Sequence, residues 1–240
     1  MGFDGPFSAP SGRVIREDEL DLLVALERNR TIEWTDDEVT FNSGFKSHVY
    51  FRGRNDLTDN IALFHRVGRL LTNSATYLRF THGPRKNLIG IPAAGTPLAQ
   101  VVADLSAANP IDYEQFGFRQ MRSVLKTHGK DNMWVGKPDL TEHSYITVEN
   151  ILSTAKAMLE NFERLEADGY PTRDMFHLVF ASWHLGGEEN LKEKGYDKVV
   201  VLFSMLDIIA AYVHIGLWPK YRETEMSLRI NAWRNEHRTW

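Results

Sequence analysis

The sequence predicts an α/β protein with a parallel sheet flanked by helices. The main observation is a unit that occurs four times from residue 87 onward, in which a short run of β-branched and apolar residues precedes a helix-like segment. Parallel strands need a crossover between them, usually a helix, so this alternation favours a parallel sheet. The four units begin with "NLIGIP", "YITVEN", "MFHLVFAS" and "KVVVLFS".

The N-terminal quarter has a different pattern. Residues 17–28 carry acids in the first turn and apolar residues at helical spacing, which predicts an amphipathic helix. Residues 38–53, "EVTFNSGFKSHVYFRG", contain an Asn-Ser-Gly turn between two β-rich runs, which predicts a hairpin. A helical period returns from Thr58 to Tyr77.

These patterns suggest a division of the chain into three parts. We expect a leader, helix and hairpin in residues 1–57, which we call the hood, and an α/β core in residues 58–213. Residues 214–240 form a helical extension with basic and acidic residues mixed. Two interpretations of the extension remain open: a helix that packs on the domain or on a partner subunit, and an arm that binds nucleic acid. Its slightly positive net charge favours the first.

Composition limits the functions to consider. The chain has 240 residues, a formal net charge of -4 and no cysteine, so disulfides, thiolate chemistry and cysteine-bound zinc or iron–sulfur sites are excluded. The charge gives no general attraction to nucleic acid or to an anionic membrane. No run approaches the roughly 20 apolar residues that span a bilayer, and no targeting pattern is visible. We expect a cytoplasmic protein without membrane or nucleic-acid partners.

Ligands of open α/β sheets bind beyond the carboxyl ends of the strands, so the strand-to-helix joins are the candidate sites. The first, at residues 92–97, contains Ala94 and Gly95 among other small residues, which lets an anion approach the backbone amides. A tight turn that needs small residues explains the same pattern equally well. The third join lies at residues 182–187.

The second join, at residues 149–156, has more side chains that could bind a ligand. Glu149 follows four strand residues, and Ser153 and Thr154 stand where a helix N-cap belongs. Helix amides with two hydroxyls can hold a phosphate, and a carboxylate before them can hold a ribose diol. An ordinary N-cap with one solvated acid is the alternative.

Residues 116–138 read as a long basic loop. The segment holds His-Gly, Gly-Lys-Pro and Asp-Asn pairs together with several cations, among them Arg119, Arg122, Lys126 and His128. Long loops in compact domains are uncommon unless they act as lids, and these cations could close over a polyanionic substrate. A solvated surface loop is the other interpretation.

These features, in this order, resemble the type I phosphoribosyltransferases, and among them the orotate phosphoribosyltransferases. The resemblance covers about residues 16 to 213 and implies that family's fold, with a parallel sheet flanked by helices and a small helix-and-hairpin hood. The matching segments are the hood hairpin "SGFKSHVYFRGR", the pyrophosphate loop "GIPAAGTPLA", the mobile loop "RSVLKTHG", the substrate motif "ITVENILSTAKAM" and the helix "GGEENLKEKG".

The resemblance implies transfer of 5-phosphoribosyl from 5-phosphoribosyl diphosphate (PRPP) to a nucleobase, with Mg²⁺ accompanying PRPP, pyrophosphate released and a homodimer as the usual assembly. It implies no metal-ligating residue of the protein. The residues it assigns are Lys126, His128 and Arg122 to catalysis; Glu149, Asn150, Ser153, Thr154, Ala155, Lys156, Ala94 and Gly95 to PRPP; and Lys46, Trp183 and His184 to the base.

Five departures from the family pattern leave two functions open, and two of them are Ser123 in place of a basic residue and Asn42 in place of a lysine. Asn150 replaces the second of two acids, and Ala155 replaces a glycine, which costs about 1 kcal/mol or more if that position needs a positive φ. The "SWHLGG" turn lacks the arginine that would bind the carboxylate of orotate, and its Trp183 either stacks on another ring or covers the end of the sheet. The protein is either an active transferase with an altered base or a catalytically impaired homologue that binds nucleotides, regulates or holds a partner.

Overall fold

A computed structural model describes residues 5–53, 56–78, 83–109, 114–125 and 132–237. The strands are β1 (Phe7–Ser8), β2 (Val14–Ile15), β3 (Ile32–Thr40), β4 (Lys46–Phe51), β5 (Arg85–Gly90), β6 (Phe116–Gln120), β7 (His143–Leu152), β8 (Phe176–Ser182) and β9 (Val199–Ser204). The helices are α1 (Glu17–Arg28), α2 (Asp56–Asp59), α3 (Ile61–Thr76), α4 (Gly95–Ala108), α5 (Lys156–Ala167), α6 (Gly187–Glu193), α7 (Met205–His214) and α8 (Lys220–Glu236).

The centre is a five-stranded sheet in the order β6-β5-β7-β8-β9, and every neighbouring pair is parallel. Each of the four predicted units supplies a strand and the helix after it, so the predicted fold class is confirmed. Because all five strands are parallel, their carboxyl ends lie at one edge of the sheet. The joins that follow β5, β7 and β8 therefore lie next to one another at that edge.

Helices cover both faces of this sheet. Along β5, Leu88 belongs to one buried cluster and Ile89 to the other, because successive side chains of a strand point to opposite faces. The first cluster includes apolar residues of α1, α3, α4 and α7, and the second includes those of α5 and α6. Burial on both faces explains why these strands are continuous apolar runs rather than alternating ones.

The edge strand β6 corrects the prediction of a continuous loop over residues 116–138. Phe116–Gln120 pairs in parallel with β5, and only the chain after it leaves the sheet. Gly117 is required there because a Cβ at this position would overlap the Asn87 side chain. The sequence did not predict this strand, because a glycine and a short length are both typical of loops.

The predicted hairpin is present as a separate two-stranded sheet, β3 with β4, and α8 packs on it. Met226 and Ile230 of α8 are buried, and the Trp233 ring meets the Phe45 ring edge-on with centroids 5.6 Å apart. Arg229 donates to Glu38 of β3 at 2.7 Å. The C-terminal extension is therefore a helix that packs within the chain, as the first interpretation predicted. In the described part of the chain, no helix is both long and apolar enough to cross a membrane.

Candidate functional site

The loop between β5 and α4 lies directly against β7. Ile91 donates its N–H to the Val148 carbonyl at 2.9 Å, and the Pro92–Ala93 peptide bond is cis. A Cβ on Gly95 would overlap the Val148 carbonyl and come within 3.2 Å of Glu149 Cα. Glycine is thus the residue that permits this contact, which brings Gly95 beside Glu149.

Glu149 lies inside β7 rather than after it, which corrects the predicted start of the second join. The strand continues to Leu152 because β8 supplies partners up to that residue, with Glu149 opposite Val179 and Leu152 opposite Ser182. The Glu149 carboxylate is 7% exposed, and its Oε1 accepts the N–H of Asn150 at 2.8 Å. This hydrogen bond fixes the direction of the carboxylate at the edge of the sheet.

Asn150 is covered by the hood. Its side chain is buried, and a Cβ added to Gly53 would come within 2.5 Å of Asn150 Nδ2. Next to it, the Phe51 ring of β4 stacks on the Phe180 ring of β8, with centroids 5.8 Å apart. The end of the hairpin therefore closes over the sheet at residue 150.

The turn before α5 differs from the predicted N-cap. The helix begins at Lys156, its N-cap is Ala155, and no side chain caps it. The hydroxyls of Ser153 and Thr154 make no hydrogen bond to any described residue, and both side chains are partly exposed. Because the first amides of a helix have no partner within the helix, this turn holds free donors.

Ala155 adopts the left-handed conformation, with φ 65° and ψ 2°. The condition under which an alanine is costly at this position, a positive φ, is therefore met. For a residue with a Cβ the conformation costs about 1–2 kcal/mol. Ala155 is buried in the cluster that contains Leu152, Met158 and Phe162, and this packing holds the strained turn in place.

The turn after β8 lies against the turn before α5. Trp183 donates its backbone N–H to Leu152 O at 2.8 Å, and Asn190 Nδ2 donates to Thr154 O at 3.0 Å. A Cβ on Gly187 would overlap Ser153 O. Sequence reasoning did not single out Asn190 or Gly187 for this contact; the Gly-Gly pair was the available signal.

The prediction that Trp183 stacks on a base is wrong in this structure. Its side chain is 2% exposed and packs between Phe41 and Phe45 of the hairpin, with ring centroids 5.2 and 5.9 Å away. Two aromatic residues of the hood tip provided this pocket, which the local sequence of the turn could not indicate. Trp183 covers the end of the sheet, as the alternative interpretation held.

His184 is half-exposed in the same turn. It has a φ of 51°, and its N–H donates to Ser182 Oγ at 3.1 Å. Its Nδ1 lies 3.0 Å from Glu188 Oε1, although the ring N–H is not well aligned with that oxygen. Contact with the Glu188 carboxylate raises the pKa of His184. Burial opposes ionisation of Glu188, but the interaction with His184 outweighs it and lowers the pKa of that carboxyl.

The remaining predicted residues are less closely tied to the joins. Lys46 is exposed at the start of β4, next to Phe45 and within electrostatic range of Glu38. Arg122 donates Nη1 to Met133 O at 2.6 Å, and its N–H donates to Trp134 O at 2.9 Å, so it closes the base of the loop. Lys126 and His128 lie outside the described residues. Roles for all four in substrate binding or catalysis stay predictions.

No protein-family model matches the sequence, and no curated protein matches it. Solved structures do match the fold. UMP synthase of Leishmania donovani is 17% identical over 92% of this chain, with a TM-score of 0.67, but this chain spans only 44% of its length. Orotate phosphoribosyltransferase of Francisella tularensis is 12% identical over 90% of this chain and 97% of its own, with a TM-score of 0.61.

Adenine phosphoribosyltransferase of Leishmania tarentolae is also similar, at 13% identity over 81% of this chain and 92% of its own, with a TM-score of 0.51. The sheet order, the helices on both faces and these matches define the class: the chain has the fold of the type I phosphoribosyltransferases. Its structural neighbours include enzymes named for orotate and for adenine. At identities of 12–17%, these structural matches establish the fold alone. The reaction depends on the chemistry of the site.

Proposed function

We propose that the protein binds PRPP at the join between β7 and α5 and transfers its phosphoribosyl group to a nucleobase, releasing pyrophosphate. The observation that carries this proposal is the turn from Ser153 to Lys156. It combines a left-handed residue, helix amides without a side-chain cap and two hydroxyls without a described partner, all a few residues after the buried carboxylate of Glu149.

The 5-phosphate is assigned to this turn. Its donors are the first amides of α5 and the hydroxyls of Ser153 and Thr154, and the positive end of the helix dipole favours an anion there. Lys156 is exposed in the first helical turn, a position that is unfavourable for a cation unless an anion lies beside it. A bound phosphate would turn that unfavourable charge into a stabilising one.

The ribose is assigned to Glu149 and the pyrophosphate to the loop at Ala94 and Gly95. The Glu149 carboxylate can accept hydrogen bonds from the ribose diol, and its negative charge stabilises positive charge that develops on the ribose carbon. In the reaction, the bond from that carbon to pyrophosphate breaks, a bond to a base nitrogen forms, and the base loses a proton. No covalent intermediate with the protein is required.

Magnesium is assigned to the substrate rather than to the protein. Among the described residues there is no cluster of three His, Asp or Glu side chains able to hold a metal. At the join, Glu149 has an amide neighbour, Asn150, instead of a second acid. The residues present therefore fit a Mg²⁺ that arrives on the pyrophosphate oxygens of PRPP, where the ion would neutralise their charge.

A second candidate function is binding of PRPP or a nucleotide without turnover. The covered position of Asn150 favours it, because an uncharged, buried amide beneath Gly53 gives less stabilisation to a developing cation than a carboxylate would. A protein of this kind would bind the ligand and regulate or hold a partner.

One experiment separates the candidates. PRPP binding is measured by calorimetry with Mg²⁺, and pyrophosphate release is measured across a panel of nucleobases. Binding with release supports the transferase, binding without release on any base supports the second candidate, and absence of binding overturns both. Glu149→Gln and the double variant S153A/T154A are expected to weaken binding about tenfold or more.

The matched control is Glu163→Gln, which removes an exposed acid from the middle of α5. It is expected to bind PRPP as the wild type does. The proposal includes a homodimer in the cytoplasm, and sedimentation equilibrium of the purified protein with and without PRPP tests the dimer.

A further inference from the structure

We infer that the turn after β8 selects an uncharged base with a ring imide, a carbonyl next to an N–H, and disfavours a base that carries a carboxylate, and that His184 positioned by Glu188 makes this selection. The inference rests on the proposed function, because it concerns the base that joins the ribose held at the turn before α5. It names the class of substrate that this site would take.

His184 is the side chain through which this turn can reach a ligand. In residues 183–187, Trp183 and Leu185 are buried at 2% and 4% exposure, and the two glycines that follow have no side chain. His184 is 39% exposed. The hydrogen bonds from Trp183 to Leu152 and from Asn190 to Thr154 hold the turn beside the proposed phosphate site.

Contacts with Ser182 and Glu188 orient the imidazole of His184. The left-handed backbone of His184 is fixed by the bond from its N–H to Ser182 Oγ, and Nδ1 faces Glu188 at 3.0 Å. The nearby negative charge favours a proton on Nδ1, which leaves Nε2 as the ring atom for a ligand. Nε2 donates to a carbonyl when the ring is protonated and accepts from an N–H when it is neutral. A ring imide offers a partner to both forms.

The charges around the turn are balanced without a ligand. Glu188 and Glu189 face His184 from α6, and Arg234 faces it from α8. Arg234 is already paired with Glu189 at 3.1 Å, and protonated His184 is neutralised by Glu188. A carboxylate on the base would have to separate one of these pairs or remain beside Glu188, so it is disfavoured.

The pH dependence follows from the same groups. Deprotonation of His184 leaves the pair with Glu188 negatively charged, which repels a carboxylate, whereas an uncharged imide exchanges one hydrogen bond for another. Because contact with Glu188 raises the pKa of His184, this change occurs above its ordinary value of about 6.5. Discrimination against the carboxylate should therefore increase as the pH rises from 6 to 8.5.

The test uses two nucleotides that differ only by one carboxylate, uridine 5′-monophosphate and orotidine 5′-monophosphate, and needs no turnover. Dissociation constants are measured by calorimetry at pH 6, 7 and 8.5, with ribose 5-phosphate as a third ligand. We expect uridine monophosphate to bind about tenfold more tightly than orotidine monophosphate at pH 8.5, and the ratio to be smaller at pH 6.

His184→Ala is expected to abolish the change of the ratio between pH 6 and pH 8.5, because no imidazole remains to titrate, while the affinity for ribose 5-phosphate stays unchanged. Glu188→Gln is expected to move the pH at which the ratio changes to a lower value, and Glu193→Gln, an exposed acid on the same helix, should have no effect.

Three results would overturn the inference. Binding of ribose 5-phosphate with equal or tighter binding of orotidine monophosphate overturns it and leaves the proposed function standing. A ratio that changes with pH in His184→Ala as it does in the wild type has the same meaning. Absence of binding by all three ligands overturns the proposed function and the inference together.

Discussion

Gly53 of the hood lies against the side chain of Asn150 at the end of the central sheet. An added Cβ would come within 2.5 Å of Asn150 Nδ2 and 2.6 Å of Phe51 Cε1. Such distances are much shorter than van der Waals contact, so residue 53 has to be a glycine for the hood to close as it does. The contact joins two parts of the chain that are almost one hundred residues apart.

Gly53→Ala is therefore expected to lower the free energy of unfolding by about 1–3 kcal/mol, because the methyl group forces the hairpin away from the sheet. Urea unfolding followed by tryptophan fluorescence measures the change. Asn150→Ala removes one of the two clashing groups, so the double variant G53A/N150A should lose less stability than the sum of the two single variants. Strict additivity would show that the two residues do not touch in solution.

Ala155→Gly is expected to raise the free energy of unfolding by about 0.5–1 kcal/mol, since glycine adopts a φ of 65° without the cost of a Cβ. The matched control is Ala157→Gly, two residues later in the first turn of α5 and exposed. In a regular helix the same replacement lowers the free energy of unfolding by about 0.5–1 kcal/mol.

Chemical denaturation of the two variants side by side gives opposite signs if the backbone at Ala155 is left-handed. Equal losses of stability in both variants would contradict the left-handed conformation, and the strain assigned to the turn before α5 would have to be withdrawn.

Much of the fold could be predicted because it depends on local periodicity. The strands β5, β7, β8 and β9, the helices after them and the hood hairpin each have a run of apolar residues at the spacing of the element they form. Parallel pairing then follows from the alternation of strand and helix. The strand β6 was missed because pairing with β5, rather than its own sequence, makes Phe116–Gln120 extended.

The site could be predicted only in part, because tertiary contacts decide its details. Glu149 and the turn before α5 were found from the sequence, but the extension of β7 to Leu152 depends on pairing with β8. The burial of Trp183 depends on Phe41 and Phe45, more than 130 residues earlier in the chain. A pattern within one segment contains no information about such partners.

His177 of β8 is expected to make the stability of the protein depend on pH. Its side chain is fully buried, its ring stacks on Phe162 with centroids 4.2 Å apart, and its Nδ1 lies 2.8 Å from Thr147 Oγ1. Burial lowers the pKa of His177 from 6.5 to about 3. The folded protein therefore keeps this ring neutral at a pH where the unfolded chain binds a proton.

The direction in which stability changes with pH follows from the difference between the pKa of His177 in the folded and unfolded states. Above pH 6.5 neither state is protonated at His177, and its full contribution to stability is present. As the pH falls from 6.5 towards 3, the unfolded state gains a proton that the folded state lacks, and stability decreases by about 1.4 kcal/mol per pH unit. Between pH 6.5 and pH 5 the expected loss from this one residue is about 2 kcal/mol.

Urea unfolding of the wild type and of His177→Gln at pH 5, 6, 7 and 8 isolates this contribution. The variant is expected to be less stable at pH 7 because glutamine fits the stacked pocket poorly, and to lose about 2 kcal/mol less than the wild type on going from pH 7 to pH 5. His65→Gln, at an exposed position of α3, is the control and should follow the wild-type profile. Parallel pH profiles for the wild type and His177→Gln would show that His177 is not kept neutral by burial.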